Sequence, residues 1–312
     1  MTLYDKQHTV AGPVSFSGLG VHSGKDAHIR ILPAPENHGI RFCRVDLPGK
    51  PLITAHFNRV VDTSLATVIG ENGCIVSTIE HLMATFSGLS IDNALVEIDS
   101  HEVPIMDGSA GVFTDAILRA GIQKQDAKRL YFVINKPILL EKNEKSVCVY
   151  PEYARRMTCS IAFDNPLIGE QTYTIDITPD RFENEISRAR TFGFYDQIEL
   201  LRLYGLGKGG SLDNAVIIKG DSIMNPDGLR YPDEFVRHKI LDAIGDFSLL
   251  GMPILGHVTL FRSGHQFNHE FLTEFFRQKG CWETMSLEEY LKSSRYTKTA
   301  EKARIDAGLS LP

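Results

Sequence analysis

The alternation of apolar and polar positions changes period several times along the chain, and each change predicts an element. Residues 27–32 (AHIRIL), 40–44 (IRFCR) and 94–98 (ALVEI) read as strands. Between them, residues 78–87 predict a helix, with Ser77 as its N-cap and Gly88 as its stop. A second helix is predicted over 110–120, ended by Gly121 and capped by Asp107 or Ser109. The polar break Ala127-Lys128-Arg129 is followed by strand signals at 131–134, 138–140, 146–150 and 157–163. A short helix over 197–203 runs into a glycine-rich turn and a strand at 216–218. The strongest helical pattern spans 233–250, stopped by Gly251 and Pro253. A strand at 257–261 and a helix at 268–279 follow it.

The two parts echo each other: early strands, a helix beginning near a histidine, then a strand. This pattern predicts an α+β protein of two domains, 1–126 and 127–312, of similar topology. A ligand site in the cleft between them would follow.

Composition narrows the class. The chain has 312 residues, 43% hydrophobic and 23% charged, as in ordinary globular proteins. A net charge of -6 and the absence of a long basic run argue against nucleic acid as a partner. The five cysteines, Cys43, Cys74, Cys148, Cys159 and Cys281, are odd in number and form no CxxC pair. They read as reduced thiols of a cytoplasmic protein rather than as zinc ligands. Met1-Thr2-Leu3-Tyr4-Asp5-Lys6 lacks a signal-peptide core, and no apolar run approaches the roughly 20 residues that span a bilayer.

Two stretches carry the candidate chemistry. Thr78-Ile79-Glu80-His81 and His238-Lys239-Ile240-Leu241-Asp242 supply two imidazoles and a carboxylate, the ligand count of a catalytic zinc site with one open position. Glu80 is then a spare carboxylate for proton transfer. Each stretch also has a plainer reading. On the 233–250 helix, Val236, Ile240, Ala243, Ile244 and Phe247 form the core stripe, while His238, Asp242 and Asp246 run up the other side. An isolated HxxxD of this kind reads first as a solvated face. Ser77-Thr78-Ile79-Glu80 equally fits a capping box, with Glu80 reaching back to the Ser77 amide.

Other segments add functional groups. His265, after the 257–261 strand, reads as a polar loop residue or, beside a metal, as a general acid oriented by Asp246. Arg188-Ala189-Arg190-Thr191-Phe192-Gly193-Phe194 combines cations, a hydroxyl and aromatics, which suits an anionic ligand with a planar ring or sugar face; the alternative is a salt-bridged loop. Residues 205–210 do not form a Walker A loop. Two rival classes share the ligand count: a non-haem iron oxygenase with a facial triad, and a non-catalytic sugar-nucleotide binder with a structural metal.

Six ordered motifs carry a family resemblance: Gly18–Gly24 (GLGVHSG), Ser77–Leu82 (STIEHL), Val103–Ala110 (VPIMDGSA), Ser187–Phe194 (SRARTFGF), Glu234–Asp246 (EFVRHKILDAIGD) and Ser263-Gly264-His265. Together they resemble the UDP-3-O-acyl-N-acetylglucosamine deacetylases, zinc amidases of lipid A biosynthesis in Gram-negative bacteria. The resemblance implies two similar domains, each a sheet layered on helices, with the site where the helix layers meet. It implies zinc, with Fe2+ as an alternative, on His81, His238 and Asp242. Glu80 matches the general base, His265 the general acid and Thr191 the oxyanion donor, with Asp246 and Lys239 in the same catalytic group. Phe163, Phe192, Phe194, Ser211, Lys239 and Arg262 fall where substrate is bound. Ile198, Leu201, Leu206 and Val216 are expected to wall an acyl passage built from an insertion near 190–217. The implied reaction removes the N-acetyl group of a UDP-linked, 3-O-acylated glucosamine, the committed step of lipid A biosynthesis, by a cytoplasmic monomer. One departure is Ala66, where some family members carry a cysteine near the metal.

Overall fold

A computed structural model describes residues 3–293; Met1, Thr2 and the tail beyond residue 293, in which the sequence shows no usable motif, lie outside the described residues. The expected α+β class is what the chain adopts. A five-stranded sheet is ordered Val14–Leu19, Asp26–Pro33, Ala94–Ile98, Ile40–Arg44, Leu52–Thr54. Its central Ala94–Ile98 strand runs antiparallel to Asp26–Pro33 and parallel to Ile40–Arg44.

The second half repeats this order. Ile138–Lys142 pairs with Lys145–Tyr150, which pairs antiparallel with Ile254–Phe261. That strand runs parallel to Arg155–Ala162, which pairs with Glu170–Asp176. In both halves the central strand follows a buried helix, Glu80–Gly88 in the first and Glu234–Ser248 in the second. In both, a further helix comes later, Gly111–Ala120 and His265–Arg277. Each half also inserts a small three-stranded sheet before its buried helix. The strands are Val60–Asp62, Val68–Glu71 and Cys74–Val76 in one, and Phe192–Phe194, Val216–Lys219 and Ser222–Ile223 in the other.

Alternation accounts for the sheets. Arg155–Ala162 reads buried and half-buried in strict turn, and Asp26–Pro33 alternates exposed and buried over most of its length, so each strand gives one face to the core. Helix Glu234–Ser248 behaves differently. It is buried on nearly every side, enclosed by Glu80–Gly88, by strands Arg155–Ala162 and Glu170–Asp176, and by His265–Arg277. The polar row His238, Asp242, Asp246 is therefore not a solvated face: all three residues are buried.

The two central helices approach at Gly245. A Cβ built there would stand 2.1 Å from the Glu80 carbonyl oxygen, so only glycine permits this approach. Gly245→Ala is expected to force the helices apart at a cost of about 1–3 kcal/mol, typical of overpacking. Because Glu80 and His81 sit on one helix and His238 and Asp242 on the other, the same variant should also separate the residues expected to hold a metal and lower metal content. Thermal unfolding together with metal content checks this, and an unchanged Tm would refute it.

Candidate metal-dependent active site

The start of helix Glu80–Gly88 departs from the capping box. Ile79, not Ser77, occupies the N-cap position and makes no side-chain cap bond. The Ser77 amide donates instead to the His101 carbonyl (2.8 Å), which ties it to the neighbouring chain. Thr78 has φ of 58°, a strained value for a β-branched residue, and its hydroxyl donates to Glu102 (3.2 Å). Glu80 is thereby freed from capping. Its Oε2 accepts from the Thr67 amide (3.0 Å), and its other oxygen, Oε1, lies 3.9 Å from His265 Nε2.

Across the helix interface, His81, His238 and Asp242 converge. One ligand atom from each lies within 4.8 Å of the others, and all three residues are buried. His238 Nε2 is 3.3 Å and His81 Nε2 3.6 Å from Asp242 Oδ1. The imidazoles meet edge to face, centroids 5.0 Å apart. His238 Nδ1 faces the Ala189 carbonyl at 3.0 Å. A carbonyl only accepts, so Nδ1 carries the proton and the Nε2 lone pair points into the cluster. Burial lowers the His238 pKa to about 4, which keeps the ring neutral and able to ligate. Burial acts to raise the Asp242 pKa, but His238 and Lys239 outweigh it and hold the carboxylate well below its usual range. Two imidazoles and an ionised carboxylate, buried yet lining one cavity, fit a divalent metal.

The remaining proton groups lie beside the cluster. His265 is the first residue of helix His265–Arg277 rather than a loop residue, and its Nδ1 is 2.9 Å from Asp246 Oδ2. Burial works to lower the His265 pKa, but Asp246, then Glu80 and Asp242, raise it to about 10. Burial raises the Glu80 pKa, partly offset by the neighbouring His265 and His81. Lys239 Nζ donates to Asp242 Oδ2 (2.9 Å).

These groups open into a cavity of about 630 Å³, whose lining includes Thr191, Phe192, Phe194, Ile198, Leu201 and Ser211. Val216 does not line it. Strand alternation turns its side chain into the core and presents Ala215 and Ile217 instead. Leu206 is likewise not part of this wall. Phe163 and Arg262 line a separate hollow of about 340 Å³ that meets the main cavity at Lys239. Neither arginine of the 187–194 motif lines either space. Arg188 pairs with Asp115 (2.9 Å), and Arg190 pairs with Glu234 (2.8 Å), so the salt-bridged reading holds for both.

Two groups escaped the sequence reading. Thr67 donates its hydroxyl to Asp246 Oδ1 (2.6 Å) while its amide holds Glu80, and Asn268 donates to Asp246 Oδ2 (2.8 Å). They hold the two carboxylates from behind, through contacts with residues far away in sequence.

Comparison with known sequences fits this geometry. The sequence model of the family described as UDP-3-O-acyl N-acetylglycosamine deacetylase matches residues 7–277. The chain belongs to this family. A UDP-3-O-acyl-N-acetylglucosamine deacetylase of Myxococcus xanthus (strain DK1622) is 47% identical over 277 residues, 89% of this chain and 88% of that protein. One of Syntrophotalea carbinolica is 44% identical over 304 residues, 97% of this chain and 98% of its own length. One of Geotalea uraniireducens (strain Rf4) is 46% identical over 281 residues, 90% of this chain and 92% of its own. In this deacetylase-family chain all six motifs supply cavity-lining residues, with Val21 and His22 coming from the first and Ile105 from Val103–Ala110.

Proposed function

We propose that the protein hydrolyses the acetamide of UDP-3-O-acyl-N-acetylglucosamine, releasing acetate and the free amine, with zinc held by His81, His238 and Asp242. The observation that carries this is the buried His-His-Asp cluster, flanked by Glu80 and His265 and lining a cavity with an apolar wall. When bound, zinc supplies Lewis-acid polarisation and a water acidified to a pKa near 7. The same donors accept Fe2+.

The residues divide the proton work. Glu80, its pKa raised by burial, takes the proton of the attacking water. Thr191, which lines the cavity, donates its hydroxyl to the developing oxyanion. His265, held protonated by Asp246, delivers a proton to the departing nitrogen as the C–N bond breaks. Phe163, Phe194, Lys239 and Arg262 hold the uridine diphosphate, and Ile198, Leu201 and Ile217 the acyl chain, with Phe192 and Ser211 between them.

Residues 1–126 and 127–312 are proposed as the two domains, supported by the repeated strand order and by the main sheet of each half being built from its own residues. Free thiols at all five cysteines suit the reducing cytoplasm, where we place this committed step of lipid A biosynthesis. Among the described residues no helix is long and apolar enough to cross a membrane.

Acetate release from the UDP-sugar combined with metal analysis tests the reading; a purified protein that binds metal but releases no acetate would refute it. The pH profile tests the acid. Activity requires protonated His265, so the alkaline limb falls as pH rises through its pKa. Asp246→Asn removes the charge that raises this pKa and should move that limb to lower pH by about 1–3 units. An unmoved limb would reassign the acid.

A further inference from the structure

Glu234 begins the helix that bears His238 and Asp242, one turn before His238. It is fully buried and does not line the cavity. Its oxygens accept from Arg190 N (2.9 Å), Arg190 Nε (2.8 Å), Arg190 Nη2 (3.0 Å) and Arg230 N (2.6 Å). A buried ion pair of this kind is a weak source of stability, since apolar replacements often match it.

Its connection to the site is more specific. The Arg190 N–H and the Ala189 carbonyl belong to one planar peptide unit. Glu234 accepts from the N–H edge of that unit, and His238 Nδ1 donates to its carbonyl edge (3.0 Å). The peptide thus joins a carboxylate to a ligating imidazole, as a direct carboxylate–histidine contact does in other metal sites. A negative charge on the N–H polarises the peptide and strengthens the carbonyl as an acceptor. Neighbouring bonds hold the same segment in place. Arg230 Nη1 donates to the Arg188 carbonyl (3.0 Å) and to Asp107 (2.8 Å), and the Thr191 amide donates to the Gly108 carbonyl (2.8 Å).

We infer that Glu234 is a positioning residue acting through the Ala189–Arg190 peptide: it fixes the tautomer and orientation of His238 and, through the next residue, the place of Thr191. The inference deepens the proposed deacetylase and rests on His238 as a metal ligand.

Glu234→Gln keeps the shape and removes the charge. It is expected to weaken zinc affinity, read by chelator competition below the unfolding temperature, and kcat by about 10–100-fold, with KM within about twofold of wild type. Arg190→Lys leaves the Arg190-position N–H on the carboxylate, so its metal affinity should stay near that of wild type even if its Tm falls. A double variant, Glu234→Gln with Arg190→Met, buries no unpaired charge and should show the same loss of metal affinity if the single variant does not fold. Wild-type zinc affinity and kcat in whichever glutamine variant folds would overturn the inference. Failure of both glutamine variants to fold would also overturn it, by making the pair a requirement of the fold. A wild-type protein that binds zinc but releases no acetate would instead refute the deacetylase reading, and the affinity comparison would still decide the role of Glu234.

Discussion

Glu80→Gln is expected to lower kcat by about 10²–10⁴, the usual worth of a positioned base. The substitution isolates one property. Glutamine fills the same volume and still offers an oxygen to the Thr67 amide, which now bonds Glu80 Oε2 at 3.0 Å. What it cannot do is take a proton. The native carboxylate is 4% exposed, and its burial works against ionisation. A neutral amide avoids that cost, so stability should be kept or improved while activity collapses, as at other sites where function opposes stability. Metal content should not change, because Glu80 is not among the converging ligands. Acetate-release kinetics, Tm and metal stoichiometry measured on one preparation separate these outcomes. A variant within about fivefold of wild-type kcat would remove Glu80 from the proton-transfer role.

Asp242→Asn is expected to reduce zinc occupancy and lower activity by about 10³ or more. A bound metal is worth several kcal/mol of transition-state stabilisation, and each 1.36 kcal/mol is a factor of ten. Asp242 is the anionic member of the cluster, and it also receives Lys239 at 2.9 Å. Asparagine keeps the volume but leaves the metal with neutral donors and Lys239 without its countercharge. Chelation of the wild-type protein should reach the same low activity, and zinc should restore the wild type but not the variant. Full activity in the chelated protein would end the metal-dependent reading.

Much of this protein was legible from local pattern. The period-two strands and the 233–250 helix correspond closely to observed elements, because apolar spacing sets the element type, although only in the strands does it also mark the buried face. That His238 and Asp242 stand together was legible because HxxxD spacing places two donors on one side of a helix. The misreadings have a common cause. Local spacing puts Ser77 at the helix N-cap, yet Ile79 takes that position and the Ser77 amide pairs with His101, 24 positions further along the chain. The family resemblance implies Val216 in the acyl wall, but strand register turns it inward. For Arg188 and Arg190 the sequence leaves an anion site and a salt-bridged loop both open, and only Asp115 and Glu234, brought up by the fold, decide for the loop.

Composition and periodicity by themselves determined the α+β class, the main helices and strands, and the residue types available for chemistry, because these follow from local spacing and hydrophobic burial. Ordered motifs added the family. Only the tertiary structure decided which polar rows would be dry. His238, Asp242 and Asp246 lie on a helix face that is solvated in isolation and becomes buried when a second helix packs at Gly245, with His238 and Asp242 left lining the cavity. Thr67, Asn268 and the Ala189–Arg190 peptide gain their roles in the same way. Hydrogen bonds between residues far apart in sequence leave no periodic trace, and they are what converts a set of ionisable residues into groups with fixed proton states.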